Sequence, residues 1–159
     1  MSKFVFEAAD EAATDRFGAA LAAVLPAGAV VALLGTLGAG KTRLVQAIAA
    51  ACGVLREEVV SPTFVLCQQY CGSRAINHLD VYRLRDVDEL RELGIEELFA
   101  SDAITIIEWA DRVADALPTD FLEVTIEVTG QTVRRFIVRA AGVGYEPVVK
   151  ELGRAASRQ

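Results

Sequence analysis

The stretch "LLGTLGAGKTRL", from Leu33 to Leu44, decides the fold class of this chain. It contains Gly35, four further residues, and then Gly40, Lys41 and Thr42. This is the spacing of a phosphate-binding loop, in which glycines let the backbone curl around an anion and a helix follows at once. The stretch therefore predicts a nucleotide-binding domain built around one strand, one loop and one helix.

Strand and helix patterns alternate on both sides of the loop. The unbroken apolar run "AVVALL", residues 29–34, is typical of a parallel strand that is covered on both faces, and the helix after the loop should end at Gly53. Further strands are predicted near residues 4–6, 64–70, 74–80, 103–109, 121–128 and 132–140, and further helices near 9–25, 86–100 and 146–159. We predict an α/β fold, a P-loop nucleotide-hydrolase-like three-layer domain with a mostly parallel sheet and a C-terminal antiparallel hairpin. One domain should span residues 1–145, and residues 146–159 should form a C-terminal tail with the pattern of a short helix.

Composition limits the classes of function. The chain has 159 residues, of which 53% are hydrophobic and 24% charged, as expected of one globular domain. Its formal net charge of -6 disfavours a surface that grips nucleic-acid phosphates directly, because such a surface needs clustered Lys and Arg. Three cysteines and a single histidine give poor support for a zinc site and favour a reducing, cytoplasmic location.

One uncharged segment has the length of a membrane span. Residues 19–40 carry no charge, and about 20 apolar residues suffice to cross a bilayer. Pro26 and Gly28 interrupt the segment, however, and its second half leads into the phosphate loop. A helix, a turn and a buried strand explain it better, and we expect no contact with a membrane.

The loop residues have distinct expected roles. Backbone N–H groups around Gly35, Gly38 and Gly40 should converge on phosphate oxygens, and the helix N-terminus adds partial positive charge. Lys41 should reach the β- and γ-phosphates, and the hydroxyl of Thr42 should bind Mg²⁺.

Hydrolysis also requires a carboxylate near the metal and a group that orients water. Asp80 ends the predicted strand "AINHLD", and Glu108 ends "ITIIE". The C-terminal ends of parallel strands gather beside the phosphate loop, so both are candidates for metal binding and catalysis. A carboxylate at a strand end is also often an ordinary solvated loop residue.

Three other side chains are candidates for nucleotide contact. Trp109, the only tryptophan, follows Glu108 and is either a core residue or packs on a base or ribose. Ser61 and Thr63, in "SPTF", either reach Mg²⁺ and phosphate or cap a turn. The guanine-reading pattern Asn/Thr-Lys-x-Asp is absent, which favours ATP over GTP.

Taken together, five motifs resemble the TsaE family, the ATPase component of the bacterial machinery that installs threonylcarbamoyladenosine on tRNA. The resemblance covers nearly the whole chain in order, and the motifs are "GTLGAGKT", "SPTF", "HLDVYRL", "LGIEELF" and "IEWADR".

The resemblance implies a function and a set of site residues. The residues that would hold ATP are Gly35, Leu37, Gly38, Ala39, Gly40, Lys41, Thr42, Arg43, Thr63 and Trp109. Lys41, Asp80 and Glu108 would be catalytic, and Thr42, Asp80 and Glu108 would serve Mg²⁺. The resemblance also implies that Trp109 is required and that the segment from Ser61 to Thr63 acts as a switch. The implied partners are the threonylcarbamoyl transferase subunit and its inactive paralogue, with tRNA reached only through that complex.

The chain departs from the family pattern at a few positions. Many relatives have Asp at position 36 and Thr at position 43, where this chain has Thr36 and Arg43. Relatives can also carry an Arg after the glycine of the terminal hairpin, where Gln131 stands here, and Arg134 or Arg135 is a candidate to replace it.

Two alternative functions remain open at this point. A small-molecule kinase would need a basic lid and an acceptor pocket, and no Arg-rich lid stands out after Glu108. A nucleotide-binding module without catalysis is disfavoured by Glu108.

Overall fold

Seven strands form a single sheet in the computed structural model, which describes residues 2–61 and 67–157. The strands are β1 (Lys3–Ala8), β2 (Val30–Gly35), β3 (Cys67–Cys71), β4 (Ala75–Asp80), β5 (Ile104–Glu108), β6 (Phe121–Val128) and β7 (Arg134–Ala141). The order across the sheet is β1-β7-β6-β2-β5-β4-β3. The four central strands, β6, β2, β5 and β4, are parallel, and β3, β7 and β1 add antiparallel pairs at the two edges. The prediction of a three-layer α/β domain is confirmed, with its parallel pairing at the centre.

Helices cover both faces of the sheet. They are α1 (Glu11–Val24), α2 (Lys41–Ala51), α3 (Val87–Glu92), α4 (Ile95–Ala100) and α5 (Glu146–Ser157). Helices α1, α2 and α5 pack in the larger hydrophobic cluster on one face. On the other face, α3 and α4 pack with a 3₁₀ segment, Ala110–Ala116, in the smaller cluster. The central strands therefore lie between two apolar layers, which explains their continuous hydrophobic sequences.

Local sequence signals account for the element boundaries. Asp10 caps α1 by accepting a hydrogen bond of 2.8 Å from the backbone N–H of Ala13. Helix α2 ends shortly before Gly53, which has a positive φ of 85°, as predicted. Gly94, with a φ of 80°, divides the helical stretch predicted near residues 86–100 into α3 and α4. The predicted strand 64–70 is described only from Cys67, because residues 64–66 lie outside the described part of the chain.

The C-terminal residues form a helix that packs on the sheet. Helix α5 runs for 12 residues and buries Val148, Val149 and Leu152 against the sheet side that also carries α1. These three positions share one helix face, so the apolar spacing that predicted a helix also explains why it packs. Within the described ranges, no helix combines the length and the apolarity that crossing a bilayer requires.

Candidate nucleotide site

The loop between β2 and α2 has the backbone shape that phosphate binding requires. Gly38 and Gly40 have φ values of 79° and 107°, in the left-handed region that side-chain-bearing residues rarely adopt. Gly40 occupies the N-cap of α2, and among the described residues no side chain caps that end. The first N–H groups of the helix therefore remain available to an anion in front of them.

Lys41 lies within the curve of the loop. Its ammonium nitrogen Nζ donates to the carbonyl oxygens of Gly35 and Thr36, at 2.8 and 2.9 Å. The same nitrogen lies 3.8 Å from the centroid of the Trp109 ring, which is a cation–π contact. Burial lowers the pKa of Lys41 below its ordinary value, because desolvation disfavours the charged amine. The carboxylates that oppose this shift are those of Glu108, Asp80 and Asp111.

Thr42 and Glu108 are joined directly. The Thr42 hydroxyl lies 3.0 Å from Oε1 and 2.9 Å from Oε2 of Glu108. Glu108 ends β5, which pairs in parallel with β2, and only 2% of the residue is exposed. The sheet thus places a buried carboxylate against the hydroxyl that the loop motif assigns to a metal ion.

Asp80 lies at the end of the neighbouring strand. It faces Glu108 in the β4–β5 register, so both carboxylates belong to the same edge of the sheet. Its Oδ2 accepts a hydrogen bond of 2.6 Å from the Ser61 hydroxyl, and its Oδ1 accepts one of 3.0 Å from the backbone N–H of Tyr82. Ser61 therefore contacts a carboxylate. Thr63, the other hydroxyl of that segment, lies outside the described residues.

Trp109 has an unusual backbone conformation for a residue with a large side chain. Its φ of 64° is left-handed, which costs free energy and recurs at functional sites. The Trp109 ring packs on the Tyr82 ring, with the two centroids 4.7 Å apart. The guanidinium of Arg112 in turn lies 4.7 Å from the centroid of the Tyr82 ring. The observed neighbours of Trp109 are thus Lys41 and Tyr82, and its packing on a base or ribose stays a prediction.

One cleft collects most of the residues expected at the site. It has a volume of about 320 Å³ and is lined by Leu37, Gly38, Gly40, Lys41, Thr42, Arg43, Ser61, Asp80, Glu108 and Trp109. Gly35 lines a separate groove beside Trp109, and Ala39 is buried. Ala39 also contributes to a second cleft of about 190 Å³ on the other side of the loop.

Arg43 lies where these two clefts meet. Its Nη2 forms an ion pair of 2.8 Å with Asp15 of α1, and Arg43 is among the lining residues of both clefts. Its Nη1 is buried and has no hydrogen-bond partner among the residues that the structure describes. A buried donor without a partner is costly, so this position suits an anionic ligand. The departure from the family pattern at position 43 thus places a guanidinium beside the loop, and its binding of an anion stays a prediction.

The oxygen ligands at the front of the loop suit Mg²⁺. The Thr42 hydroxyl and the carboxylates of Asp80 and Glu108 are hard oxygen donors, and magnesium is usually held by one or two carboxylates together with substrate phosphates. The chemistry of these donors is therefore compatible with the metal that the motif predicts.

Arg134 reaches the phosphate loop from the terminal hairpin. Its Nε donates to the carbonyl oxygen of Ala39 at 3.0 Å, and its Nη1 donates to the carbonyls of Gly130 and Val133 at 3.1 and 3.0 Å. Arg135 points elsewhere and pairs with Glu7 on β1 at 2.6 Å. Of the two arginines considered as replacements at the hairpin, Arg134 is the one near the loop, where it binds backbone carbonyls.

The sequence interpretation missed one member of the site. His78 is fully buried, and its Nε2 lies 2.5 Å from Oε2 of Glu108. The sequence interpretation used the single histidine only as an argument against a zinc site. The available signal was the strand period, because residues 78 and 80 of β4 share a face.

Comparisons with known proteins agree with this arrangement. The model of the family described as "Threonylcarbamoyl adenosine biosynthesis protein TsaE" matches residues 8–137. Similar proteins include the tRNA threonylcarbamoyladenosine biosynthesis proteins TsaE of Treponema pallidum and Bacillus subtilis. The first is 36% identical over 125 residues, covering 79% of this chain and 92% of the relative. The second is 37% identical over 134 residues, covering 84% and 83%.

A solved structure extends the likeness to the whole fold. The crystal structure of Bacillus subtilis YdiB superposes with a TM-score of 0.81 and 28% sequence identity, covering 97% of each chain. The matched region of the family model includes the phosphate loop and both strand-end carboxylates, Asp80 and Glu108. On the family model and on these relatives, the chain belongs to the TsaE family.

Proposed function

We propose that this chain hydrolyses ATP to ADP and phosphate, in a Mg²⁺-dependent reaction, as a subunit of the machinery that makes threonylcarbamoyladenosine in tRNA. The contact between Thr42 and Glu108 carries the proposal, because it joins a phosphate loop to a buried carboxylate. The pathway is supported by the names of the relatives. Hydrolysis is supported by the side chains that surround the loop.

Binding of the nucleotide falls to the loop and its cations. The N–H groups at the start of α2 face the phosphates, and the ammonium of Lys41 moves from the loop carbonyls to the β- and γ-phosphates. Arg43 supplies Nη1, which has no hydrogen-bond partner within residues 2–61 and 67–157, to the same anion. On binding, Lys41 would exchange neutral carbonyl oxygens for charged phosphate oxygens, and the other groups would gain a hydrogen-bond acceptor.

The two carboxylates would share the metal and differ in a second role. Thr42, Glu108 and Asp80 would hold Mg²⁺, which neutralises charge on the phosphates when it is bound. Glu108 keeps the Thr42 hydroxyl oriented, whereas Asp80, held by Ser61 and Tyr82, orients the attacking water. The water oxygen bonds to the γ-phosphorus, and the bond from that phosphorus to the β–γ bridging oxygen breaks with its electron pair on ADP. The proton released by the water ends on the phosphate product.

Turnover should depend on partners. The proposed partners are the threonylcarbamoyl transferase subunit and its inactive paralogue, and hydrolysis resets their complex between cycles in the cytoplasm. The net charge of -6 agrees with contact to tRNA through that complex and not through this chain. We therefore expect slow hydrolysis by the chain alone and faster hydrolysis with the partners.

Replacement of Glu108 by Gln tests the function. The variant keeps the size and most of the hydrogen bonding of Glu108 but loses the charge beside Thr42. It should therefore bind ATP and its partners yet lose about a hundredfold or more in hydrolysis rate. Glu97→Gln, on an exposed position of α4, is the matched control and should behave as wild type. ATP hydrolysis and modified tRNA are measured together with purified partners.

Two results would contradict the proposal. The first is multiple-turnover modification by Glu108→Gln at the rate of the wild type. The second is phosphate transfer from ATP to a small-molecule acceptor by the wild type alone, which would make the chain a kinase.

A further inference from the structure

A buried chain of hydrogen bonds leads from Glu108 into the edge of the sheet. His78 is fully buried on β4, with Nε2 2.5 Å from Oε2 of Glu108 and Nδ1 3.0 Å from the Tyr70 hydroxyl on β3. The Tyr70 hydroxyl also lies 3.4 Å from the carbonyl oxygen of Val60. Neither His78 nor Tyr70 has a role in the function proposed above.

The partners decide which imidazole nitrogen carries the proton. A carboxylate only accepts hydrogen bonds, so the nitrogen facing Glu108 must be the donor, and this is Nε2 of His78. In the neutral imidazole the other nitrogen, Nδ1, accepts the hydroxyl proton of Tyr70, whose oxygen lies 3.0 Å from Nδ1 and 3.4 Å from the Val60 carbonyl oxygen. Tyr70 therefore holds the tautomer that points an N–H group at Glu108.

Glu108 needs a second donor to keep one orientation. The Thr42 hydroxyl has a single proton and lies almost equally far from Oε1 and Oε2, at 3.0 and 2.9 Å. It therefore does not distinguish the two oxygens of the carboxylate. His78 contacts only Oε2, and its ring is held by β4 and by Tyr70. The terminal torsion of a glutamate is broad, so a directional donor on one oxygen restricts it.

We infer that His78 is a positioning residue, which holds the Glu108 carboxylate against the Thr42 hydroxyl by donating its Nε2 proton to Oε2, while Tyr70 keeps the ring in that tautomer. The effect of this contact on hydrolysis rests on the ATPase function proposed above. The hydrogen bond itself does not. Groups that orient the ligands of a metal site commonly change activity by about 10- to 100-fold when they are removed.

The first experiment reads the hydrogen bond without any nucleotide. His78 is the only histidine in the chain, so protein labelled with nitrogen-15 histidine and freed of any histidine tag gives one imidazole in the nitrogen NMR spectrum. We expect a proton on Nε2, shifted strongly downfield, and an unprotonated Nδ1. Glu108→Gln should move the Nε2 proton signal, and Glu97→Gln should leave it in place. A bare Nε2 with the proton on Nδ1 would overturn the inference.

The second experiment separates the donor from the fold. His78→Gln places an amide N–H near the position of Nε2, whereas His78→Asn places its amide near Nδ1 and leaves Glu108 without this donor. With purified partners, we expect His78→Asn to lower kcat for ATP hydrolysis by about 10- to 100-fold at nearly unchanged KM. His78→Gln should recover most of that loss. Thermal unfolding of both variants shows that the protein is folded in each assay.

The outcomes distinguish this inference from the proposed function. Equal kcat values for wild type and His78→Asn, or equal losses in the Asn and Gln variants, would overturn the positioning role while leaving ATP hydrolysis intact. Absence of hydrolysis in the wild type with its partners would instead overturn the ATPase function, and the NMR spectrum would still decide whether His78 donates to Glu108.

Discussion

The guanidinium of Arg134 on β7 donates a hydrogen bond of 3.0 Å to the carbonyl oxygen of Ala39 in the phosphate loop. The two residues lie 95 positions apart in the chain. Because the same guanidinium also binds carbonyls of the hairpin turn, it fixes the distance between the turn and the loop. A loop with two left-handed glycines has few local restraints, and this contact supplies one from outside.

Replacement of Arg134 by Ala should therefore weaken nucleotide binding. A hydrogen bond from a charged donor contributes about 1.5 kcal/mol, so we expect roughly a tenfold rise in the Kd for Mg²⁺-ATP. Arg135→Ala is the matched control, because Arg135 sits next in the chain but pairs with Glu7 on β1. Isothermal titration calorimetry measures both values. Equal affinities in the two variants would show that the hairpin does not support the loop.

Lys41→Ala should abolish nucleotide binding or weaken it strongly. Lys41 is the cation within the curve of the loop, and its removal leaves the phosphate charge without its nearest ammonium group. Lys150→Ala, at an exposed position of α5, controls for the loss of one positive charge. Calorimetry in the presence of Mg²⁺ gives the affinities, and an unchanged value for Lys41→Ala would refute the assignment of the phosphate loop.

Asp80→Ala should separate binding from hydrolysis. The backbone cradle and Lys41 are untouched, so the Kd for ATP should remain close to that of the wild type. The single-turnover rate should fall by about a hundredfold, because the group proposed to orient water is lost. Ser61→Ala removes the hydroxyl that holds Oδ2 of Asp80 and should cause a smaller loss. Rapid-quench measurements with purified partners show whether Asp80→Ala loses more of the hydrolysis rate than Ser61→Ala. A wild-type rate in Asp80→Ala would refute the role of Asp80 in hydrolysis.

Gly18→Ala should destabilise the fold without touching the site. A methyl group on Gly18 of α1 would lie 2.9 Å from the carbonyl carbon of Ala47 on α2, and closer still to the Ala47 Cβ. Forcing the two helices apart should cost about 1–3 kcal/mol in the free energy of unfolding.

Gly153→Ala on α5 is the control for that substitution. Its added methyl would meet Phe4 at an ordinary 3.6 Å, and alanine is a better helix former by about 1 kcal/mol. Urea denaturation monitored by circular dichroism should show opposite shifts in midpoint for the two variants. A stabilised Gly18→Ala would mean that α1 and α2 do not pack as closely as described.

Local patterns were enough for the predictions that depend on neighbouring residues. The spacing of Gly35, Gly40 and Lys41 predicted the loop, and the apolar runs predicted β2 and β5. Carboxylates at strand ends predicted that Asp80 and Glu108 would meet, and the register of β4 and β5 places them opposite one another. These signals are readable because glycine conformation, strand burial and the direction of parallel strands are expressed within a few residues.

Contacts between distant segments depended on the order of strands in the sheet. By itself, the sequence determined that this chain forms a phosphate loop with two strand-end carboxylates in an α/β domain. Only the tertiary structure decided that Arg134 binds Ala39, that Lys41 lies on Trp109, and that His78 donates to Glu108. Hydrophobic periodicity predicts which face of a strand is buried, but it does not predict which strands are neighbours. A hydrogen bond spans only about 3 Å, so these contacts depend on the order of the strands.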